Sequence, residues 1–224
     1  MSKNQPLAAI WDVDGTLVDT AELHFQAWQE VSRELGRTFS RDDFAATFGR
    51  RNPEILRTLF GDGFDQAELT ALAERKESLY RIEAARGVAL LPGVRQLVDN
   101  LHRAAFAQGI GSSAPRANLE LILRLTGIAP FFAAMIGSED TQRGKPDPEV
   151  FLLAAERLGV LPSQCVVFED AVAGVQAARA GGMKCVAVRC AGHHSEASLR
   201  QAGADVVVET LEGFSARTIQ DLFG

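Results

Sequence analysis

The stretch WDVDGTLVD, which runs from Trp11 to Asp19, directly follows an apolar run over residues 7–11. Such a run predicts a buried parallel strand, and Gly15 ends it. Side chains alternate along a strand, so Asp12 and Asp14 leave its end on the same face. Two carboxylates this close repel each other unless a cation or a proton separates them. The stretch therefore predicts a metal-assisted site, with an Asp-Gly turn carrying solvated acids as the alternative.

The composition is that of an ordinary globular protein, with 224 residues, 46% hydrophobic and 23% charged. Lys and Arg total 23 against 29 Asp and Glu, which gives a formal net charge of −6. An acidic chain lacks the basic surface that nucleic acid or an anionic membrane binds, so we expect neither as a partner. The polar start and the absence of long apolar runs predict no signal peptide and no membrane span. Three unclustered cysteines are typical of a reducing cytoplasm, and we expect a cytoplasmic monomer or weak dimer.

Helical spacing dominates the chain after the first strand. Helices are predicted over residues 21–35, 41–48, 53–60 and 66–86, with Thr20 as the first N-cap and Gly36 as the first stop. From residue 93 onward helices alternate with apolar runs at 106–111, 134–137, 165–168, 185–188 and 205–208. This alternation predicts a parallel sheet that is covered by helices on both faces.

The predicted fold class is α/β, with a Rossmann-like open parallel sheet and a small all-helical cap inserted after the first strand. Residues 1–19 and 93–224 form the predicted core, and residues 20–92 form the cap. An insertion of about seventy residues is far longer than an ordinary strand-to-helix connection. Because ligands of open parallel sheets bind outside the carboxyl ends of the strands, we look for the site directly after each apolar run.

Two strand ends carry residues suited to phosphate. Ser112 and Ser113 precede Pro115, and hydroxyls with free backbone N–H groups at a helix N-terminus bind phosphate. The alternative for Ser112 is a simple N-cap. Lys145 lies in the Gly/Pro-bounded loop GKPDP, where it can neutralise a phosphate or a nucleophilic carboxylate. Its alternative is an ordinary exposed loop lysine.

A second acidic pair, Glu169 and Asp170, follows the apolar run at 165–168. Together with Asp12 and Asp14 it predicts a site for Mg²⁺, which takes few protein oxygens alongside water and substrate phosphate. The alternative is a pair of helix-opening acids that favour the helix dipole.

Two other patterns are set aside. Cys185, Cys190, His193 and His194 could be arranged as a zinc site, but Cys185 falls in an apolar run, where a free cysteine behaves as a small hydrophobe. The segment from Gly109 to Ala114 matches the dinucleotide fingerprint only loosely and is not the first strand.

Four sequence features form a set: DVDGTLVD, Ser112, Lys145 in GKPDPE, and Glu169 with Asp170 in FEDAVAGVQAARAGG. Together they resemble the motifs of the haloacid dehalogenase superfamily of phosphotransferases. The resemblance covers essentially the whole chain, in the expected order. The helical insertion looks like the small cap of the subfamily that contains beta-phosphoglucomutase, phosphoglycolate phosphatase and many sugar-phosphate phosphatases.

The resemblance implies roles for the residues at the strand ends. Asp12 would be the nucleophile that forms an aspartyl-phosphate, and Asp14 the general acid and base. Ser112 and Lys145 would hold the transferring phosphoryl group. Such a nucleophile splits one difficult displacement into two easier ones.

The resemblance also implies a metal site. Mg²⁺ would lie against the Asp12 carboxylate, the Asp14 backbone carbonyl and Asp170. Glu169 would be either a further ligand or a residue that supports the ligands.

The cap resembles that of beta-phosphoglucomutase in part. The similar start at residues 20–28 and the position of the cap lysine imply substrate-side roles for Thr20, His24 and Lys76. Residues 48–52 depart from the mutase, which has a lysine where this chain has Phe48 and a phosphate-binding arginine further along. Arg50 or Arg51 is predicted to bind substrate from the cap instead, together with Ser113 of the core. The alternative for both arginines is a solvated helix edge.

The predicted function is Mg²⁺-dependent hydrolysis of small phosphorylated metabolites, sugar phosphates above all. The alternative is a beta-phosphoglucomutase-like isomerase of sugar phosphates, since the two reactions differ only in which hydroxyl attacks the intermediate. A dehalogenase does not need Asp14, and a phosphonatase would need a cap lysine near Gly49. A receiver-like switch would not carry a large cap.

Overall fold

A computed structural model describes residues 6–192 and 194–224. Its sheet has six parallel strands in the order β3-β2-β1-β4-β5-β6. The strands are β1 (Ala8–Trp11), β2 (Ala107–Gly111), β3 (Ala134–Ile136), β4 (Cys165–Glu169), β5 (Lys184–Val188) and β6 (Val206–Val208). The predicted Rossmann-like α/β fold is confirmed.

Helices cover the sheet and build the insertion. The insertion contains α1 (Ala21–Glu34), α2 (Arg41–Thr47), α3 (Asn52–Phe60) and α4 (Gln66–Ala84). The remainder contains α5 (Val94–Arg103), α6 (Arg116–Thr126), α7 (Glu149–Leu158), α8 (Val172–Ala180), α9 (Glu196–Ala202) and α10 (Ala216–Gln220). The predicted helix and strand ends differ from these by one or two residues, as is usual at fraying ends. Within the described ranges, no helix is both long and apolar enough to span a membrane.

Strand β1 lies in the middle of the sheet and is fully buried. It pairs with β2 on one side and with β4 on the other, so the order of strands reverses at its end. The Trp11 ring stacks on Phe168 of β4 at 4.0 Å, and its indole N–H donates to Gln108 of β2 at 3.2 Å. Ligands bind where such a reversal opens a crevice, so Asp12 leaves β1 at the expected place.

The insertion has an apolar cluster of its own, which includes Phe25, Trp28, Phe44 and Leu56. Helices α2 and α4 each begin with a capping box, in which side chain and backbone satisfy each other's free groups. The chain passes between core and insertion twice, and the two crossings pair where Val18 bridges Leu90. Division of the chain after residues 19 and 92 stays a prediction, and these paired crossings support it.

Candidate active site

Asp12 is held by a buried lysine from a distant loop. Lys145 Nζ donates to Asp12 Oδ1 at 2.6 Å and to Glu169 Oε1 at 2.7 Å. Lys145 is only 4% exposed, so the alternative of an ordinary exposed lysine does not describe it. Burial and the neighbouring Glu169 raise the pKa of Asp12 to about 7, although Lys145 lowers it. Additional positive charge beside Asp12 would therefore favour the ionised, nucleophilic form of this carboxylate.

Glu169 has partners on both of its oxygens. Its Oε1 accepts from Lys145, and its Oε2 accepts from the backbone N–H groups of Asp170 and Ala171, each at 2.7 Å. A Cβ added at Gly174 would lie 1.7 Å from Glu169 Oε1. Glycine on the facing helix α8 therefore leaves the space in which Glu169 holds Lys145.

We expect Gly174→Ala to lower kcat by about a hundredfold, because displacing a catalytic group by about 1 Å costs that much. The new methyl group would push Glu169 away and take Lys145 with it. Steady-state kinetics with urea unfolding would measure both effects. Gly181→Ala is the matched control, since a Cβ there meets its nearest neighbour at 3.4 Å. Equal activity of the two variants would contradict this role for Glu169.

Asp170 supplies the strongest structural indication of a cation. It is buried, and its Oδ2 has no hydrogen-bond partner among the described residues. Burial and the carboxylates of Glu169 and Asp12 raise the pKa of Asp170 well above its ordinary value of 3.8. Gly15, at φ +88°, lies so close that a Cβ there would be 2.1 Å from Asp170 Oδ2. An unpaired oxygen among buried carboxylates fits a divalent cation.

In the described part of the chain, no group of three or more His, Cys, Asp or Glu side chains is arranged to hold a metal ion. Two carboxylates and a backbone carbonyl nevertheless suit Mg²⁺, which keeps several waters. Cys185 is buried inside β5, as its apolar surroundings predict. His193, part of the zinc pattern set aside above, lies outside the described residues.

Asp14 faces the insertion, and three side chains donate to its Oδ1: Thr20 at 2.5 Å, His24 Nε2 at 3.1 Å and Tyr80 at 3.3 Å. Burial raises the pKa of Asp14, but the positive charge of the His24–Lys76 pair and the hydrogen bonds from His24 and Thr20 lower it to about 2. Thr20 does occupy the N-cap position of α1, but its hydroxyl makes no capping bond because it is used on Asp14. In this arrangement Asp14 is ionised and able to accept a proton.

His24 is fixed in one tautomer by its neighbours. Lys76 Nζ lies 2.7 Å from His24 Nδ1, and an ammonium group can only donate. Nδ1 is therefore the acceptor, and the proton on Nε2 points to Asp14. The imidazole also stacks on the Tyr80 ring at 4.1 Å. Sequence reasoning missed Tyr80, although it lies four residues after Lys76 and thus on the same face of α4.

Between insertion and core lies a cavity of about 580 Å³, part of it open to solvent. Its core side includes Asp12, Asp14, Ser112, Ser113 and Asp170, and its insertion side includes His24, Arg50 and Lys76. Most of the predicted site residues thus meet at one place. The insertion side also includes the apolar side chains of Trp28, Phe44, Phe48 and Ile55 and the polar side chains of Thr47, Asn52 and Glu77.

The haloacid dehalogenase-like hydrolase family matches residues 7–182 of the chain. The chain belongs to this family. It is 39% identical to a fructose-1-phosphate phosphatase of Escherichia coli (strain K12), over 80% of this chain and 95% of the relative. It is 35% identical to a beta-phosphoglucomutase of Bacillus subtilis (strain 168), over 81% and 82%. A crystal structure of beta-phosphoglucomutase from Clostridium difficile matches with a TM-score of 0.88 at 26% identity, covering 98% of this chain and 97% of that one.

The two arginines predicted to bind substrate in this haloacid dehalogenase-like hydrolase lie in different surroundings. Arg50 is exposed and lines the cavity. Arg51 is not among the lining residues, because its guanidinium group donates to the backbone carbonyls of Gln142 at 3.0 Å, Thr141 at 2.5 Å and Ser138. The Arg51 side chain thus binds the loop that leads to Lys145. This contact differs from the substrate contact predicted for Arg51.

Proposed function

We propose that the protein is a Mg²⁺-dependent phosphatase of small phosphorylated metabolites, sugar phosphates in particular, acting through an aspartyl-phosphate on Asp12. The observation that carries this proposal is the buried Asp12 carboxylate held by Lys145, with the unpaired oxygen of Asp170 in the same group. The 39% identity to a fructose-1-phosphate phosphatase supports the choice of sugar phosphates.

The reaction consists of two displacements at phosphorus. In the first, an Asp12 oxygen forms a bond to phosphorus and the bond to the leaving oxygen breaks. Asp14 is ionised in the free protein, so it must be protonated in the substrate complex before it gives that oxygen a proton. In the second, water attacks the same phosphorus, passes a proton to Asp14, and the bond to Asp12 breaks to release phosphate. Lys145 and Ser112 offset the charge on the phosphoryl oxygens.

Mg²⁺ would be held by the carboxylates of Asp12 and Asp170 and by the backbone carbonyl of Asp14. When bound, it supplies Lewis acidity and neutralises phosphoryl charge. With its oxygens bound to Lys145 and to backbone N–H groups, Glu169 orients Lys145 rather than ligating the metal.

Hydrolysis is favoured over isomerisation by the charges on the insertion side of the cavity. A mutase must hold a second phosphate there while the first is transferred. Lys76 is 2% exposed and is already paired with His24 and Glu77, so Arg50 is the cation left for a second phosphate among the described lining residues. The rest of that wall combines apolar side chains with Thr47, Asn52 and the carboxylate of Glu77, which suits an uncharged leaving group better than a second phosphate.

The experiment is to incubate the protein with fructose 1-phosphate and with beta-glucose 1-phosphate, and to measure both phosphate and isomerised sugar phosphate. We expect phosphate without isomer. EDTA should lower the rate by about a hundredfold, and added Mg²⁺ should restore it and raise the unfolding midpoint. Isomer as the main product would establish the mutase reaction instead. Undiminished hydrolysis after EDTA would contradict the metal site.

A further inference from the structure

Glu77 is a buried carboxylate that none of the steps above uses. It lies on α4, is 3% exposed, and accepts three hydrogen bonds from side chains. Its Oε1 accepts from Lys76 Nζ at 2.8 Å and from Asn52 Nδ2 at 2.7 Å, and its Oε2 accepts from Asn118 Nδ2 at 2.6 Å. Burial is the largest single influence and raises the pKa of Glu77, but the positive charge beside it and the hydrogen bonds from Lys76 and Asn52 together lower that pKa. Glu77 is therefore a satisfied anion that neutralises Lys76.

Asn118 belongs to the core side of the molecule. It lies near the start of α6, the helix that follows Ser112, and it is 1% exposed. Its Oδ1 accepts from Arg81 at 3.2 Å, so its amide nitrogen is directed to Glu77. Glu77 and Arg81 are four residues apart on one face of α4 and hold the amide in a single orientation. The Asn118 amide thus ties α4 to α6.

These contacts extend to Asp14. From Asn118 the hydrogen bonds run through Glu77 to Lys76, from Lys76 to His24, and from His24 to Asp14. The path begins and ends in the core and crosses the insertion in between. Because Lys76 fixes the tautomer of His24, a shift of Lys76 would no longer keep the proton on His24 Nε2, from which it is donated to Asp14.

We infer that Glu77 and Asn118 are positioning residues, which seat α4 on α6 and thereby hold Lys76 and His24 against Asp14. As far as catalysis is concerned, the inference rests on the proposed phosphatase function. Without Glu77, Lys76 would be a buried cation whose one remaining hydrogen-bond partner among the described residues is an imidazole, and it would withdraw toward water. His24 would then be free to exchange tautomers, and Asp14 would lose a fixed donor.

Two substitutions and their combination test the hydrogen bond between Asn118 and Glu77. Asn118→Asp places a carboxylate against that of Glu77, and Glu77→Gln removes one acceptor oxygen and puts an amide against an amide. The double variant rebuilds the contact with reversed polarity, because the new amide nitrogen at position 77 donates to the new carboxylate at position 118. The amide oxygen at position 77 can still accept from Lys76 and Asn52.

We expect each single variant to lower kcat for sugar-phosphate hydrolysis by about tenfold, and the double variant to recover most of that loss, as coupled neighbours do. Glu83→Gln, on the same helix but paired locally with Arg86 at 2.5 Å, is the control and should keep full activity. A double variant no more active than the singles would overturn the inference. So would unchanged kcat in both single variants accompanied only by a shift in the urea unfolding midpoint.

The tautomer of His24 provides a readout that needs no substrate. In ¹⁵N-histidine NMR spectra, with the resonance assigned by His24→Asn, the native protein should show a protonated Nε2 and an unprotonated Nδ1. Each single variant should show a mixture of tautomers, and the double variant should return to one. If the native protein hydrolyses no sugar phosphate, the proposed function fails, while these spectra still decide whether Glu77 and Asn118 position His24. Unaltered spectra in both single variants would overturn the inference even in an active phosphatase.

Discussion

Asp12→Asn is expected to lower turnover of sugar phosphates by at least about a thousandfold, because an uncharged amide is a poor nucleophile toward phosphorus. The fold should survive, since Lys145 keeps its second partner, Glu169, at 2.7 Å. Mg²⁺ should still raise the unfolding midpoint of the variant, although less than that of the native protein. Measurement of kcat together with thermal unfolding would check both expectations.

Asp19→Asn is the matched control for this substitution. Asp19 is an exposed aspartate in the same stretch. Among the described residues, its carboxylate accepts one hydrogen bond, from the backbone N–H of Ala21 at 3.3 Å. We expect the free energy of unfolding to change by no more than about 0.5 kcal/mol, as for an ordinary surface substitution, and turnover to stay near the native value. Full activity of Asp12→Asn would show that another group receives the phosphoryl group.

The second large effect is expected for Lys145→Ala. This substitution leaves the buried carboxylates of Asp12 and Glu169 without their shared cation, and breaking a buried ion pair in this way costs about 3 kcal/mol or more. Turnover should fall by about a thousandfold, because phosphoryl charge is no longer offset. Urea unfolding and steady-state kinetics at pH 8 without and with Mg²⁺ would measure the two losses.

The stability loss of Lys145→Ala should depend on pH with a definite sign. In the folded native protein the pKa of Asp12 is raised from its ordinary 3.8 to about 7, so protonation of Asp12 favours the metal-free fold. That stabilisation is fully present below pH 3.8 and is lost as the pH rises through about 7. Removing Lys145 strengthens the same trend, so the variant should lose more stability at pH 8 than at pH 5.

Lys184→Ala is the control for the loss of a lysine. Lys184 pairs with Asp205 at 3.2 Å near the surface, with 38% of its side chain exposed. Such pairs contribute up to about 1 kcal/mol. A Lys145→Ala protein as stable as Lys184→Ala at pH 8 would contradict the buried ion pair.

The residues at the strand ends were predictable from the sequence because parallel strands bring their carboxyl ends to one edge of the sheet. Asp12, Ser112, Glu169 and Asp170 each follow an apolar run, so locating the runs located these side chains. Lys145 lies beyond its run, in a loop, and its motif rather than its strand identified it. The family resemblance and the fold were both confirmed by the comparisons.

Residues between the insertion and the core were harder to predict. The roles of Glu77 and Asn118 depend on how α4 rests on α6, and helix spacing alone does not fix that contact. For the same reason Arg51, predicted to meet substrate, turned out to bind backbone carbonyls on the loop before Lys145. Thr20 shows the same difficulty at shorter range, since its hydroxyl bonds to Asp14 instead of capping α1.

The stereochemical course at phosphorus tests the aspartyl-phosphate most directly. A sugar thiophosphate made chiral with oxygen isotopes would be hydrolysed in isotopically labelled water, and the configuration of the released thiophosphate would be determined. Two in-line displacements, first by Asp12 and then by water, predict overall retention of configuration. Inversion would show that water attacks the substrate directly, and it would contradict a covalent intermediate on Asp12.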